Sequence, residues 1–197
     1  MYEERTKVFK GVIMAVRPIC RMGNPILRQT AAQLSPEEIL SKEMKILIQD
    51  MKESMDHYGG IGIAAPQIGV SKQVCIIQLE EDNERYKIES QFPFSVFINP
   101  VIKVLDKKTQ GFWEGCLSVP GMRGYVERPK KIQVDYLNEK GEEKSLVAED
   151  FLAIVIQHEL DHLFGKLYID RIEDVSKLSF NEEFEEYIVP TLSEDEG

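Results

Sequence analysis

The sequence predicts an α+β domain, with helices packed on an antiparallel sheet. Three observations carry this. Met44, Leu47, Ile48, Met51 and Met55 recur at the spacing of one buried helix face. The middle of the chain then turns to short β-branched runs, VCIIQL (74–79), SVFINPVIKVL (95–105), KIQVDYL (131–137) and KSLVA (144–148), which read as strands. Last, FLAIVIQHELDHLFG (151–165) is long for a strand and closes on Gly165, as a buried helix would.

Taken in order, residues 1–14 form an N-terminal appendage, with Met14 an alternative start just before the first patterned segment. Ser35-Pro36-Glu37-Glu38 starts a helix, with a capping hydroxyl, a proline in the first turn and an acid at the third position; Ser41 could equally cap a second helix. Gly59-Gly60 ends it. Residues 80–93 are polar and read as a loop, RPKK (128–131) as a solvated turn, and Asn138-Glu139-Lys140-Gly141 as a hairpin turn. The acids of NEEFEEYIVP suit an exposed C-terminal helix, followed by an acidic tail at 191–197. No repeat or linker divides the span 15–190, which is read as a single domain.

Composition excludes several classes of function. With 43% hydrophobic and 29% charged residues the chain is of globular type. No apolar run approaches the roughly 20 residues of a membrane span, and the N-terminus, with two acids and no apolar core after them, resembles neither signal nor transit peptide. A net charge of -10, with no basic cluster, argues against direct nucleic-acid binding. Cys20, Cys75 and Cys116 form no even framework, which points to a reducing compartment. Cys20 and Cys75 read as small core residues.

The chemistry concentrates in three segments. His158-Glu159-Leu160-Asp161-His162 places two imidazoles about one helical turn apart, on one face, where both can bind a single metal ion. Glu159 lies about 100° round from His158, beside such an ion without ligating it. A divalent ion lowers the pKa of a ligated water toward neutrality. Chance could supply the spacing, but two of the chain's 3 histidines sit here in an aliphatic helix, and unpaired they would be costly to desolvate. A catalytic site needs a third ligand. His57 and Glu182 are conceivable. Cys116 in Glu114-Gly115-Cys116-Leu117-Ser118-Val119-Pro120-Gly121 is the stronger candidate, because the flanking residues suggest a tight irregular segment that fixes a thiolate. Gly60-Ile61-Gly62-Ile63-Ala64-Ala65-Pro66-Gln67-Ile68-Gly69 lets backbone pass close to a ligand and offers the Gln67 amide as a donor. It lacks the Lys-Ser/Thr of a phosphate-binding loop.

GIGIAAPQIG, EGCLSVPG and QHELDH, in this order and spacing, resemble the three signature motifs of peptide deformylases, over about Arg17 to Phe180. The resemblance implies antiparallel β-sheets packed around a central HExxH-bearing helix, with a long N-terminal helix and a C-terminal helix. It also implies hydrolysis of N-formyl-methionyl peptides, nascent chains in the cell, to formate and a free amino terminus. By the same resemblance Cys116, His158 and His162 are metal ligands and Glu159 the general acid/base. Gln67 and the Leu117 N–H form the oxyanion hole. Ile61, Phe151, Ile154 and Val155 line a methionine pocket, Gly62, Glu114 and Arg123 meet the peptide or its rim, and Arg128 and Asp161 orient the ligands. The implied ion is Fe²⁺ in the cell, with Zn²⁺ or Ni²⁺ in purified protein. Cytoplasmic location, transient ribosome association and a monomer or weak homodimer complete the expectation. Two departures stand out: the C-terminus is acidic where some members are basic, and the loop at 80–93 is long. Rival readings are a zinc protease with another third ligand, or a metal module that binds formyl peptides without turnover.

Overall fold

The computed structural model describes the backbone of residues 7–9 and 12–14, and residues 16–80 and 91–192 in full. Strands β1 (Lys7–Phe9) and β2 (Val12–Met14) pair antiparallel; the rest of the 1–14 appendage, residues 81–90 of the expected loop and residues 193–197 of the tail lie outside the described residues.

Ser35 and Ser41 each cap a helix. In α1 (Pro36–Ile39) the Ser35 hydroxyl accepts from the Glu38 N–H while the Glu38 carboxylate accepts from the Ser35 N–H, a closed box around one turn. In α2 (Lys42–His57) Ser41 Oγ accepts from the Met44 N–H, and the helix stops where Gly59 takes a φ of 67°. Met44, Met51 and Met55 are the buried stripe of α2, as their spacing requires.

All the later strands join one antiparallel sheet. β3 (Gly62–Ala64), β4 (Val74–Leu79), β5 (Phe92–Cys116), β6 (Val119–Leu137) and β7 (Glu143–Glu149) follow in that order, and β8 (Leu178–Phe180) pairs with the far end of β6. The sequence locates the sheet but understates its reach. The 95–105 segment is one part of a 25-residue strand. Lys107 to Thr109 carry no apolar alternation because they are exposed on both faces, so periodicity could not mark them. Register shifts near Ile98, Val104, Asp106 and Gly115 interrupt the β5–β6 ladder, as bulges do where long strands bend.

Four expectations are corrected. RPKK is strand, not turn: Arg128 is buried inside β6. Phe92 and Pro93 open β5 rather than close a loop. Cys116 is the last residue of β5 and pairs with Val119 across a two-residue turn, Leu117-Ser118, so the irregular backbone is the register shift between Gly115 and Cys116 together with that turn. The C-terminal segment is helical only in pieces: one α turn at Asn181–Glu183, a π turn at Phe184–Ile188 and a 3-10 turn at Val189–Thr191. Pro190 cannot donate to an α ladder, which favours the broken form.

Helix α3 (Asp150–Leu163) lies against the sheet. Ala153, Val155, Ile156, Leu160 and Leu163 pack with Cys75, Ile77, Phe97, Ile132 and Val134. The opposite face of β4, Val74 and Ile76, packs with the methionines of α2. Burial on both faces explains why VCIIQL is a continuous apolar run. No helix among the described residues is long and apolar enough to cross a membrane. Met51 is fully buried, so Met51→Ala is expected to cost about 2–5 kcal/mol in urea unfolding.

Candidate metal centre

The three chemical segments meet at one place. α3 delivers His158, Glu159 and His162; the end of β5 delivers Cys116; the 3-10 turn Ala65–Ile68 after β3 delivers Gln67. Ligand atoms of Cys116, His158 and His162 all lie within 4.8 Å of one another, and Cys116 Sγ is 3.3 Å from His162 Nε2. Ligands about 2.0–2.3 Å from a tetrahedral ion are themselves roughly 3.5 Å apart, so the spacing suits a thiolate and two imidazoles around one ion. Glu182 is exposed and His57 sits at the exposed end of α2; neither joins the group.

The electrostatics agree with the geometry. Burial alone would raise the Cys116 thiol, yet the His162 and His158 imidazoles hold it well below the ordinary thiol range. Burial would lower His158, but hydrogen bonds to Cys116 and Glu114 hold it well above the usual imidazole value. Thiolate and proton thus share a site that a cation can take over, releasing the proton. His158 Nδ1 donates to Glu114 Oε2 at 2.7 Å, which leaves Nε2 as the ligating nitrogen.

Glu114, expected at the pocket rim, lines the cleft and also accepts from His158, orienting its ring. Its other partner is Arg128, whose Nε and Nη2 donate to it at 2.5 and 3.0 Å. Arg128 Nη1 also donates to Asp161 at 2.9 Å, and Asp161 accepts from Arg171 Nη2 at 2.6 Å. Desolvation alone would raise both carboxylates; His158 and Arg128 for Glu114, and Arg171 and Arg128 for Asp161, bring them below their usual range. Arg171, on the 3-10 turn Tyr168–Arg171, was not foreseen, because no local pattern pairs it with residue 161.

Glu159 stands apart from this network. Burial raises its carboxyl to about 7, and its Oε2 is buried without a hydrogen-bond partner. A Cβ on Gly62 would stand 2.6 Å from Glu159 Oε1, so the glycine is what leaves the carboxylate its place. Gln67 is held just as closely. Its Oε1 accepts from the Ala64 N–H at 2.8 Å, and its Nε2 donates to Ser118 Oγ at 3.2 Å and faces Cys116 Sγ at 3.5 Å.

A cleft of about 500 Å³ opens beside these groups. Ile61, Gly62, Leu117, Phe151, Ile154 and Val155 line it with the polar set, as does Phe112, whose ring packs 5.2 Å from that of Phe151. Phe112 was missed: it belongs to no motif and its strand reads as polar. Arg123 does not line this cleft. It borders the adjoining groove with Arg21 and Asn181, its guanidinium 5.3 Å from the Phe184 ring centre.

Comparison with known proteins gives a consistent set of likenesses. A family model described as Polypeptide deformylase matches residues 16–178. A peptide deformylase of Leptospira biflexa is 51% identical over 172 residues, covering 87% of this chain and 96% of its own. Peptide deformylase 2 of Pseudomonas putida is 41% identical over 167 residues, covering 85% and 93%. The Met-Ala-Ser-bound class I type b peptide deformylase of Acinetobacter baumannii superposes with a TM-score of 0.77 at 38% identity, over 81% of this chain and all of that one. A Synechococcus elongatus peptide deformylase in complex with actinonin gives 0.73 at 36% identity, over 92% and 91%.

Two outcomes follow from the packing. Gly62→Ala should lower turnover about 100-fold, since misplacing a reacting group by an ångström has that effect, while bound metal stays constant. Arg128→Ala should destabilise the fold by about 3–5 kcal/mol in urea unfolding, because it strands two buried carboxylates.

Proposed function

The chain belongs to the polypeptide deformylase family, and on that premise we propose how its residues divide the work. The protein removes the N-formyl group from nascent peptides by a metal-dependent hydrolysis. The cluster of Cys116, His158 and His162 is the observation that carries our assignment of the centre: these three hold the ion. Fe²⁺ is the ion we assign in the cell; a thiolate with two imidazoles also accepts Zn²⁺ or Ni²⁺. A divalent ion held there supplies Lewis acidity to the formyl carbonyl and to water.

The remaining steps belong to the chain itself. The methionine side chain enters the cleft between Ile61, Phe151, Ile154 and Val155, which Phe112 also lines. This seats the formyl carbon beside Glu159. Glu159 takes a proton from the attacking water at its carboxylate and delivers it to the leaving nitrogen as the C–N bond breaks. Its burial suits both duties, because a carboxyl raised to about 7 can exchange protons near neutral pH. Gln67 Nε2 and the Leu117 N–H donate to the oxyanion of the tetrahedral intermediate, where fixed donors stabilise charge as it develops. The Gln67 carbonyl is already satisfied by Ala64, which aims the amide nitrogen at the site. Gly62 and Gly115 give the substrate backbone room to pass.

Helix α3 is the centre of the family's arrangement of antiparallel sheets. Residues 15–190 form the catalytic domain, with 1–14 and 191–197 as appendages. The protein acts in the cytoplasm on chains leaving the ribosome, as a monomer or weak homodimer. An acidic C-terminal segment argues against ribosome docking through that end.

Formate release from formyl-Met-Ala-Ser, measured anaerobically with Fe²⁺ and with Zn²⁺, tests the reading. No release with either ion would overturn it. Cys116→Ala should abolish metal binding, and Glu159→Ala should keep the metal yet lose turnover by about 100-fold or more. Because Glu159 must begin ionised and its carboxyl is raised, kcat/KM should fall as pH drops below about 7. A bound cation moves that limb lower, never higher.

A further inference from the structure

The oxyanion donors come from two separate parts of the chain, Gln67 after β3 and Leu117 in the β5–β6 turn. One segment touches both. Residues Arg17 to Met22 run beside them as a strap: the Cys20 N–H donates to Gln67 O at 2.7 Å, and the Met22 N–H donates to Ser118 O at 2.7 Å. Ser118 closes the circuit, since its hydroxyl accepts from Gln67 Nε2 at 3.2 Å.

The strap is itself anchored, far from the metal, on α2. Arg17 Nε and Nη2 donate to Asp50 Oδ2 at 2.9 and 2.7 Å, and the Arg17 N–H donates to Ser54 Oγ at 2.8 Å. Asp50 is 2% exposed and Ser54 is fully buried, so this anchor is a deliberate polar insertion into an apolar helix face. A half-exposed arginine would contribute little as a surface pair, but losing it takes two donors from a buried carboxylate.

We propose that the Arg17–Asp50 anchor is a positioning device for deformylation: through the strap it sets the spacing between Gln67 and Leu117. The proposal rests on the reading that those two form the oxyanion hole. The strap's two hydrogen bonds are made by backbone amides, so the anchor sets their place without touching substrate. Oxyanion donors act by geometry, and a shift of about an ångström costs turnover rather than substrate binding.

The test uses the full metal-loaded chain with Arg17→Ala, Arg17→Lys and Ser54→Ala, none of which alters a residue at the metal or the cleft. Arg17→Ala and Ser54→Ala should each lower kcat by about 10- to 100-fold, with KM within about two-fold and metal content unchanged. Amide exchange at Cys20 and Met22 should quicken in the same variants, and Arg17→Lys should restore most of the turnover. Ile132→Ala, a core change remote from the strap, is the control for lost stability. The proposal is overturned if kcat holds while those amides exchange faster, or if kcat falls no further than in Ile132→Ala at equal Tm. Gln67→Ala separates the two layers. Unchanged turnover there overturns the oxyanion reading and the strap with it. Loss there, with Arg17→Ala intact, overturns the strap alone.

Discussion

The Arg128 guanidinium sits buried between β5, β6 and α3, and it ties together the elements on which the metal centre stands. From β6 it donates to Glu114 on β5 and to Asp161 on α3. Cys116 lies two residues from Glu114, and His162 follows Asp161. One side chain therefore sets the distance between the strand that brings the thiolate and the helix that brings the imidazoles. Its burial makes the constraint strong, because each of the three charges would be costly to leave unpaired away from water. Glu114 passes the constraint on by accepting from His158 Nδ1.

A second consequence of burial is that two carboxylates only two residues apart on one helix differ in character. Asp161, desolvated but held between two arginines, is pulled low and serves as structure. Glu159, desolvated with no such partner, is pushed up to about 7 and can carry protons. The same helix thus holds one acid for the fold and one for chemistry, set apart by what faces them across the interface. The Gln67 side of the site is organised separately, by the turn after β3, the β5–β6 turn and the strap hydrogen-bonded to both.

Much of this was legible from local pattern. Met44, Met51 and Met55 announced a buried helix face, VCIIQL a strand, and His158 and His162 a shared ligand face. Elsewhere local pattern misled. Arg128 reads as part of a basic surface turn, because sequence carries no sign that Glu114 and Asp161 wait for it inside. Phe112 and the exposed length of β5 are silent for the opposite reason: Phe112-Trp113 is a short aromatic pair with no alternation around it, the stretch before it is polar, and cross-strand pairing with β6 supplies what periodicity lacks.

By itself the sequence determined the α+β class, the elements that bear the site, and the set of residues able to bind a metal and move a proton. His158, Glu159 and His162 follow from spacing along one helix, which short-range geometry dictates, while Cys116 and Gln67 joined them through the resemblance of their motifs. Only the tertiary structure decided that Glu114 also orients His158, that Arg123 borders the adjoining groove, and that the segment after Arg17 is tied to both Gln67 and Ser118. Each of these depends on contacts between segments tens of residues apart, and those are settled by packing and desolvation rather than by any local period.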